Sequence, residues 1–431
     1  MAALLRLFNL KAGEWRAVLL AGLYFFTVLA ALMLLRPARD ALGMQRGMDE
    51  IRWLFFGTAL VTLLAQPLFG WLVARLRRMH VIAACYGFFA VSLAGFHLLL
   101  VAAPEAVGER SGQVFYVWFS VFNFFVTMVF WALMADRFTM GQSQRLFPLI
   151  AAGGTLGAIA GSWVAGASVE SVGTPMLLLM AAGLLVTALG LAALVIRHTE
   201  AVPVGVAASH GEAPVGGSAW AGLRAVLRSP YLSGIALYVL ILAVMVTFLY
   251  FTRLQLVAGM ESELDARTAL FAQVDFYTQV ATLLLQMVFA GHLIKRIGMP
   301  MTLAFLPAVA ALGFVGLAMV GSLVALVVFE AVFRAVQRAV MRPARETLFT
   351  VLGREDKYKA KAVIDTFVYR VGDIVGAQSE GLLGRLGLGL YALAGAAVPL
   401  ALLWAALGLW LGWRQRVLAK ASTEGVGSQP C

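Results

Sequence analysis

Arg16-Ala-Val-Leu-Leu-Ala-Gly-Leu-Tyr-Phe-Phe-Thr-Val-Leu-Ala-Ala-Leu-Met-Leu-Leu-Arg36 decides the fold. Between two arginines it runs without a charge, and a helix of that length spans the hydrocarbon of a bilayer. The rest of the chain repeats the pattern. Of 431 residues 61% are hydrophobic and 13% charged, about half the usual charged share of a soluble domain. At roughly 35 residues per span and connection, the length accommodates about twelve spans.

Charges, glycines and prolines set the spans near 16–36, 52–73, 80–103, 113–135, 146–167, 173–196, 229–251, 269–291, 299–320, 322–341, 361–383 and 388–412. The expectation is an all-α membrane protein of two pseudo-symmetric six-helix bundles: residues 1–196, a cytoplasmic linker over 197–228, residues 229–413 and a cytoplasmic tail over 414–431. Two halves joined in this way suggest a parallel repeat of the secondary-transporter kind. Gly70 to Arg78 after the second span and Gly291 to Arg296 after the eighth echo each other as a glycine followed by a basic turn. That resembles the loop signature of the major facilitator superfamily.

The formal net charge is +11. With the N-terminus inside, inner segments hold 22 of the lysines and arginines and outer segments 8. The bias predicts a bacterial inner-membrane protein with both termini cytoplasmic, and it accounts for most of the basic excess without a nucleic-acid partner. Two cysteines, Cys85 and Cys431, make no disulfide framework. No cleavable signal peptide is expected, because the first apolar run is too long for one. No Gly-x-x-x-x-Gly-Lys-Ser/Thr loop and no metal-spaced His/Cys cluster occurs, and the five histidines are scattered. An ATP-driven pump, a metal site and an enzyme therefore find no support.

Ionisable residues inside spans carry the functional information, since each is costly unless paired, hydrated or snorkelling. Glu330, Arg334, Arg338 and Arg342 follow at i+4 and share a helical face. From residue 322 inward, Glu330 lies roughly 12 Å deep and Arg334 roughly 18 Å. A stripe facing a water-filled cavity explains them, and so do structural pairs between helices. The first span closes on Leu35-Arg36-Pro37-Ala38-Arg39-Asp40, where Pro37 kinks or ends the helix. The tenth closes on the similar Arg342-Pro343-Ala344-Arg345-Glu346. The eleventh carries Asp365, Tyr369 and Asp373 at i+4, with Arg370 placed to pair with Asp373 and Lys357, Lys359 and Lys361 at its mouth. Asp275, Gln279 and Gln286 make one polar stripe and Tyr116, Ser120, Asn123 and Thr127 another. Such stripes are helix glue or cavity lining. Gly153, Gly157 and Gly161 mark a tight helix crossing.

Leu35-Arg36-x-x-Arg39-Asp40-x-Leu42, Phe130-Trp131-x-x-x-x-Asp136 and Arg145-x-Phe147-Pro148-Leu149 resemble signatures of the ATP/ADP exchange family, a distant branch of the major facilitators. Pro343-x-Arg345-Glu346 and Lys359-x-Lys361-Ala362-x-Ile364-Asp365-x-x-x-x-Arg370-x-Gly372 match its second half. The resemblance runs from about residue 15 to 415. It implies exchange of nucleoside triphosphate for diphosphate across a central cavity, with no bound cofactor. It also implies substrate roles for Arg39, Asp136 and Lys361. Arg39, Asp136 and Gln144 stand where the family usually has Lys, Glu and Lys. The substrate-binding set expected from residues and resemblance together is Arg36, Arg39, Asn123, Asp136, Asp275, Glu330, Arg334, Arg338, Lys361, Asp365 and Arg370. The expected partners are a nucleotide or other organic anion and the lipid bilayer, for a monomeric protein. A proton-coupled carrier of another organic anion is the first alternative, with Glu330, Asp275 or Asp365 titrating. A receptor or scaffold that keeps the fold without transporting is the second.

Overall fold

The computed structural model describes residues 11, 14–103, 105–199, 219–289, 293–352, 354–385 and 389–426. Among them the regular structure is helical. Six helices come first: α1 (Glu14–Gly43), α2 (Met48–Arg75), α3 (Arg78–Ala102), α4 (Glu105–Arg137), α5 (Met140–Val172) and α6 (Thr174–His198). The short α7 (Ala219–Arg228) precedes α8 (Pro230–Met260), α9 (Leu264–Phe289) and α10 (Leu293–Val320). The two most charged spans are composites. The tenth joins α11 (Leu323–Val336), a π turn over Gln337–Met341 and α12 (Arg342–Leu348). The eleventh joins α13 (Arg354–Val363), a π turn over Ile364–Val368 and α14 (Tyr369–Arg385), and α15 (Gly389–Val426) is the last described helix.

The expected spans fall on these helices. Among the described residues eight helices are long and apolar enough to cross a membrane. The composite spans fall outside that group because charges and π turns interrupt them. Several boundaries move. α1 continues through Pro37 to Gly43, so the proline does not end it. α8 runs nine residues past the expected end, to Met260. The last part of the expected linker is a helix, α7, and α15 extends through Arg414 and Arg416 of the expected tail. In the loop echo, Gly291 and His292 lie outside the described residues.

The chain forms two compact units: Met1–Glu212 with Val257–Gln279, and Ala213–Leu256 with Val280–Cys431. In the first, α1 packs against α4, α5 and α6. The α1–α5 crossing is close because α5 offers glycine where the helices meet. A Cβ on Gly153 would lie 2.6 Å from Gly22 O, and Cβ atoms on Gly157 and Gly161 would overlap Phe26 O and Ala30 O. The i+4 glycine row therefore does what its spacing predicts. Around this seam lies an aromatic core. The Phe25 and Phe130 rings stack at 4.2 Å, and the Tyr24 and Tyr86 hydroxyls share a buried hydrogen bond of 2.5 Å.

The second unit repeats the device. On α14, a Cβ at Gly372 would lie 2.6 Å from Ala243 Cβ, and one at Gly376 2.8 Å from Thr247 Cβ on α8. The first and fifth spans, and again the seventh and eleventh, thus meet through glycine. That is the packing an internal repeat would produce.

Candidate functional site

Three charged side chains meet within the second unit. Glu330 on α11 is 4% exposed. Arg334, one turn along, bonds its Oε1, and Arg253 Nη1 of α8 lies 3.8 Å from the same oxygen. Arg253 is 1% exposed. Two guanidiniums thus approach one buried carboxylate oxygen inside an apolar bundle. Glu330 Oε2 is buried with no hydrogen-bond partner among the described residues. A buried carboxylate oxygen left in that state is costly.

Arg253 was absent from the expected site. Closing the seventh span at residue 251 put it in an outer loop, but the helix continues and carries it inside. The signal was the sequence beyond it, Leu254-Gln-Leu-Val-Ala258, which stays largely apolar. Another buried carboxylate was also missed. Glu380 of α14 is 1% exposed and accepts a 2.5 Å hydrogen bond from Gln255 Nε2 on α8.

The first unit has its own intramembrane pair. Arg36 Nη1 of α1 is 3.2 Å from Asp275 Oδ1 of α9, whose side chain is fully buried. Gln279, one turn on, is also buried and contacts Met33 Sδ at 3.9 Å, so that polar stripe faces α1. Gln286 is half-buried. Arg39 is held differently. It bonds the fully buried Asp40, and its guanidinium lies 4.9 Å and 5.1 Å from the ring centroids of Tyr116 and Phe119. The Tyr116 stripe thereby splits: Tyr116 is buried against Arg39, while Asn123 is exposed.

The other expected residues lie in separate places. Asp136 makes a two-point ion pair with Arg78, at 2.5 Å and 3.2 Å, tying the end of α4 to the start of α3. Arg145 makes a similar two-point pair with Glu14 at 2.9 Å. Lys361 bonds Glu346, Asp365 lies 3.2 Å from Arg345, and Arg370 lies 3.0 Å from Asp373. Arg345–Asp365 and Lys361–Glu346 together link the composite tenth and eleventh spans.

The expected i+4 row of Glu330, Arg334, Arg338 and Arg342 holds only for its first two members. Pro343 has no N–H to bond the carbonyl of Ala339 and would crowd it in an α-helix. The turn widens instead, and Arg342 N–H reaches Gln337 O, five residues back. The extra residue rotates everything beyond it off the stripe. Arg338 sits in this π turn and is exposed.

Apolar helices repeated along the chain, with paired charges within them, define a multi-pass membrane protein. The sequence matches the Major Facilitator Superfamily over residues 17–377, and the chain belongs to that family. No curated protein sequence matches it. Solved structures that share the fold include two transporters. One is the nucleoside transporter NupG, at 13% identity and a TM-score of 0.65, the match covering 93% of this chain and 99% of NupG. The other is a bacterial homologue of the human lysosomal transporter Spinster, inward-facing and unoccupied. It has 14% identity and a TM-score of 0.58, with 95% of this chain and 98% of that one covered. Identities this low speak to fold alone. Family and fold indicate a transporter rather than an enzyme. They support the superfamily from which the exchange family branches, and not ATP/ADP exchange itself.

Proposed function

We propose that the protein is a secondary transporter of an organic anion, working by alternating access, with Arg253, Glu330 and Arg334 at the centre of its substrate site. The observation that carries this reading is the shared Glu330 Oε1 with its buried, unsatisfied Oε2. A substrate carboxylate or phosphate can take over one guanidinium as a charge-assisted bond. Glu330 is then released to bind a proton or its second arginine. Arg36–Asp275 is a second intramembrane pair that substrate or proton binding would open.

The resemblance to the ATP/ADP exchange family names a nucleotide as the anion and antiport as the mode, with Arg39, Asp136 and Lys361 as the implied substrate contacts. The ion pairs favour a substrate of lower charge. Arg36, Arg39, Arg334 and Arg370 each have a carboxylate close by, so the positive field offered to a polyanion is largely compensated. Proton-coupled carriage of an organic anion accords better with this geometry. The charge bias of the loops supports a bacterial inner-membrane location with cytoplasmic termini.

Uptake into proteoliposomes separates the readings. Proton coupling gives uptake that a protonophore abolishes and that needs no internal counter-substrate. Nucleotide exchange gives uptake of labelled ATP only into liposomes preloaded with ADP or ATP. A purified protein that binds anions and moves none under either condition would overturn transport.

A further inference from the structure

Helix α7 lies apart from the charged cluster and has two unlike faces. Its inner face is Gly222 and Val226, both buried, and it packs on α13. The fit needs glycine, since a Cβ at Gly222 would lie 2.6 Å from Lys359 O and 2.9 Å from Val363 Cγ2. On the other side Arg224, Leu227 and Arg228 are exposed, Leu227 by 72%. Spacings of three and four residues bring these three onto one surface. A large aliphatic side chain is thus held out between two guanidiniums.

The position of α7 is fixed by the chain. A single residue, Ser229, separates it from the membrane-crossing α8. Ser229 N–H bonds Ala225 O at 3.2 Å, and the Ser233 hydroxyl of α8 donates to Val226 O at 2.7 Å. Helix α7 therefore ends where the span begins, which sets its Leu227–Arg228 end at headgroup level. There an exposed leucine meets acyl chains, and arginine forks meet phosphate.

We propose that the Arg224–Leu227–Arg228 face of α7 binds the headgroups of acidic phospholipids. The apolar residue favours a bilayer, and the two flanking positive charges favour an anionic one. The reading does not depend on the transported substrate. The helix that α7 packs on, α13, leads directly into the π turn that carries Asp365.

The test uses the full-length protein in nanodiscs of phosphatidylcholine alone or mixed with phosphatidylglycerol. Native mass spectrometry after release counts retained phosphatidylglycerol. Arg224→Gln/Arg228→Gln is expected to weaken retention about five-fold per arginine removed, while Arg224→Lys/Arg228→Lys keeps most of it. A spin label at Leu227→Cys, in a Cys431→Ser background with Cys85 buried, should contact oxygen more than an aqueous nickel chelate. Equal retention by wild type and the glutamine variant, or a label fully open to the chelate, overturns the proposal. So does dipolar broadening between labels, which would assign the face to a second copy of the chain.

Discussion

Arg36 and Asp275 face each other at 3.2 Å from α1 and α9, and the Asp275 carboxylate has no exposed surface. An aspartate so placed is tolerable only while its countercharge stays. We predict that Arg36→Gln, which takes this countercharge from the buried carboxylate, costs about 3–5 kcal/mol of stability. Arg36→Gln/Asp275→Asn should recover much of that loss, because the buried carboxylate is then gone as well. Thermal unfolding of the detergent-purified proteins measures both. If the double variant unfolds no later than the single one, the two residues are not coupled.

The cluster around Glu330 makes an asymmetric prediction. Glu330→Gln leaves two guanidiniums facing an amide and should cost about 3 kcal/mol or more. Arg253→Gln leaves the Arg334–Glu330 bond in place and should cost about 1–2 kcal/mol. Both variants are expected to lose most uptake. Equal destabilisation would mean that Arg253 contributes as much to the cluster as the carboxylate itself and would contradict the asymmetry.

The glycine seam of the first unit is testable with one methyl group. Gly157→Ala should lower stability by about 1–3 kcal/mol, because its Cβ would overlap the Phe26 carbonyl. Gly183→Ala on α6 is the control, with nothing within 4 Å of its added carbon. It should be neutral or slightly stabilising through helix propensity. Indistinguishable unfolding temperatures for the two would contradict the packing described.

Much of this was legible in the sequence, and the misses have physical causes. Apolar run length located the spans, since bilayer thickness leaves helices little freedom. The row Gly153, Gly157, Gly161 announced a close crossing because only glycine permits one. Arg253 was lost because a charge was taken as the end of a span, although a neighbouring helix can supply its counterion. The partners Arg78 for Asp136 and Glu14 for Arg145 are set by tertiary packing, which local periodicity does not encode. The stripe from Glu330 to Arg342 failed past Arg334 because the π turn before Pro343 changes the register. The proline was the visible clue.

That π turn leads to a further expectation. Pro343→Ala restores an N–H and removes the ring clash, so the segment can tighten into an α-helix. The Arg345–Asp365 link would then shift out of register. Uptake should fall several-fold while the unfolding temperature stays within a few degrees. Pulsed EPR distances between labels on α11 and α12 report the change of pitch, and unchanged distances with unchanged uptake would count against the role given to the turn.

The most direct measurement is a thermal-shift screen of the purified protein against nucleotides and smaller organic anions, run beside Arg334→Gln. A ligand that binds only the folded state raises the unfolding temperature. The account predicts that at least one organic anion stabilises the wild type in a concentration-dependent way and fails to stabilise Arg334→Gln. If no anion shifts the wild type, or if the same anion shifts both proteins equally, the substrate site is not at this cluster.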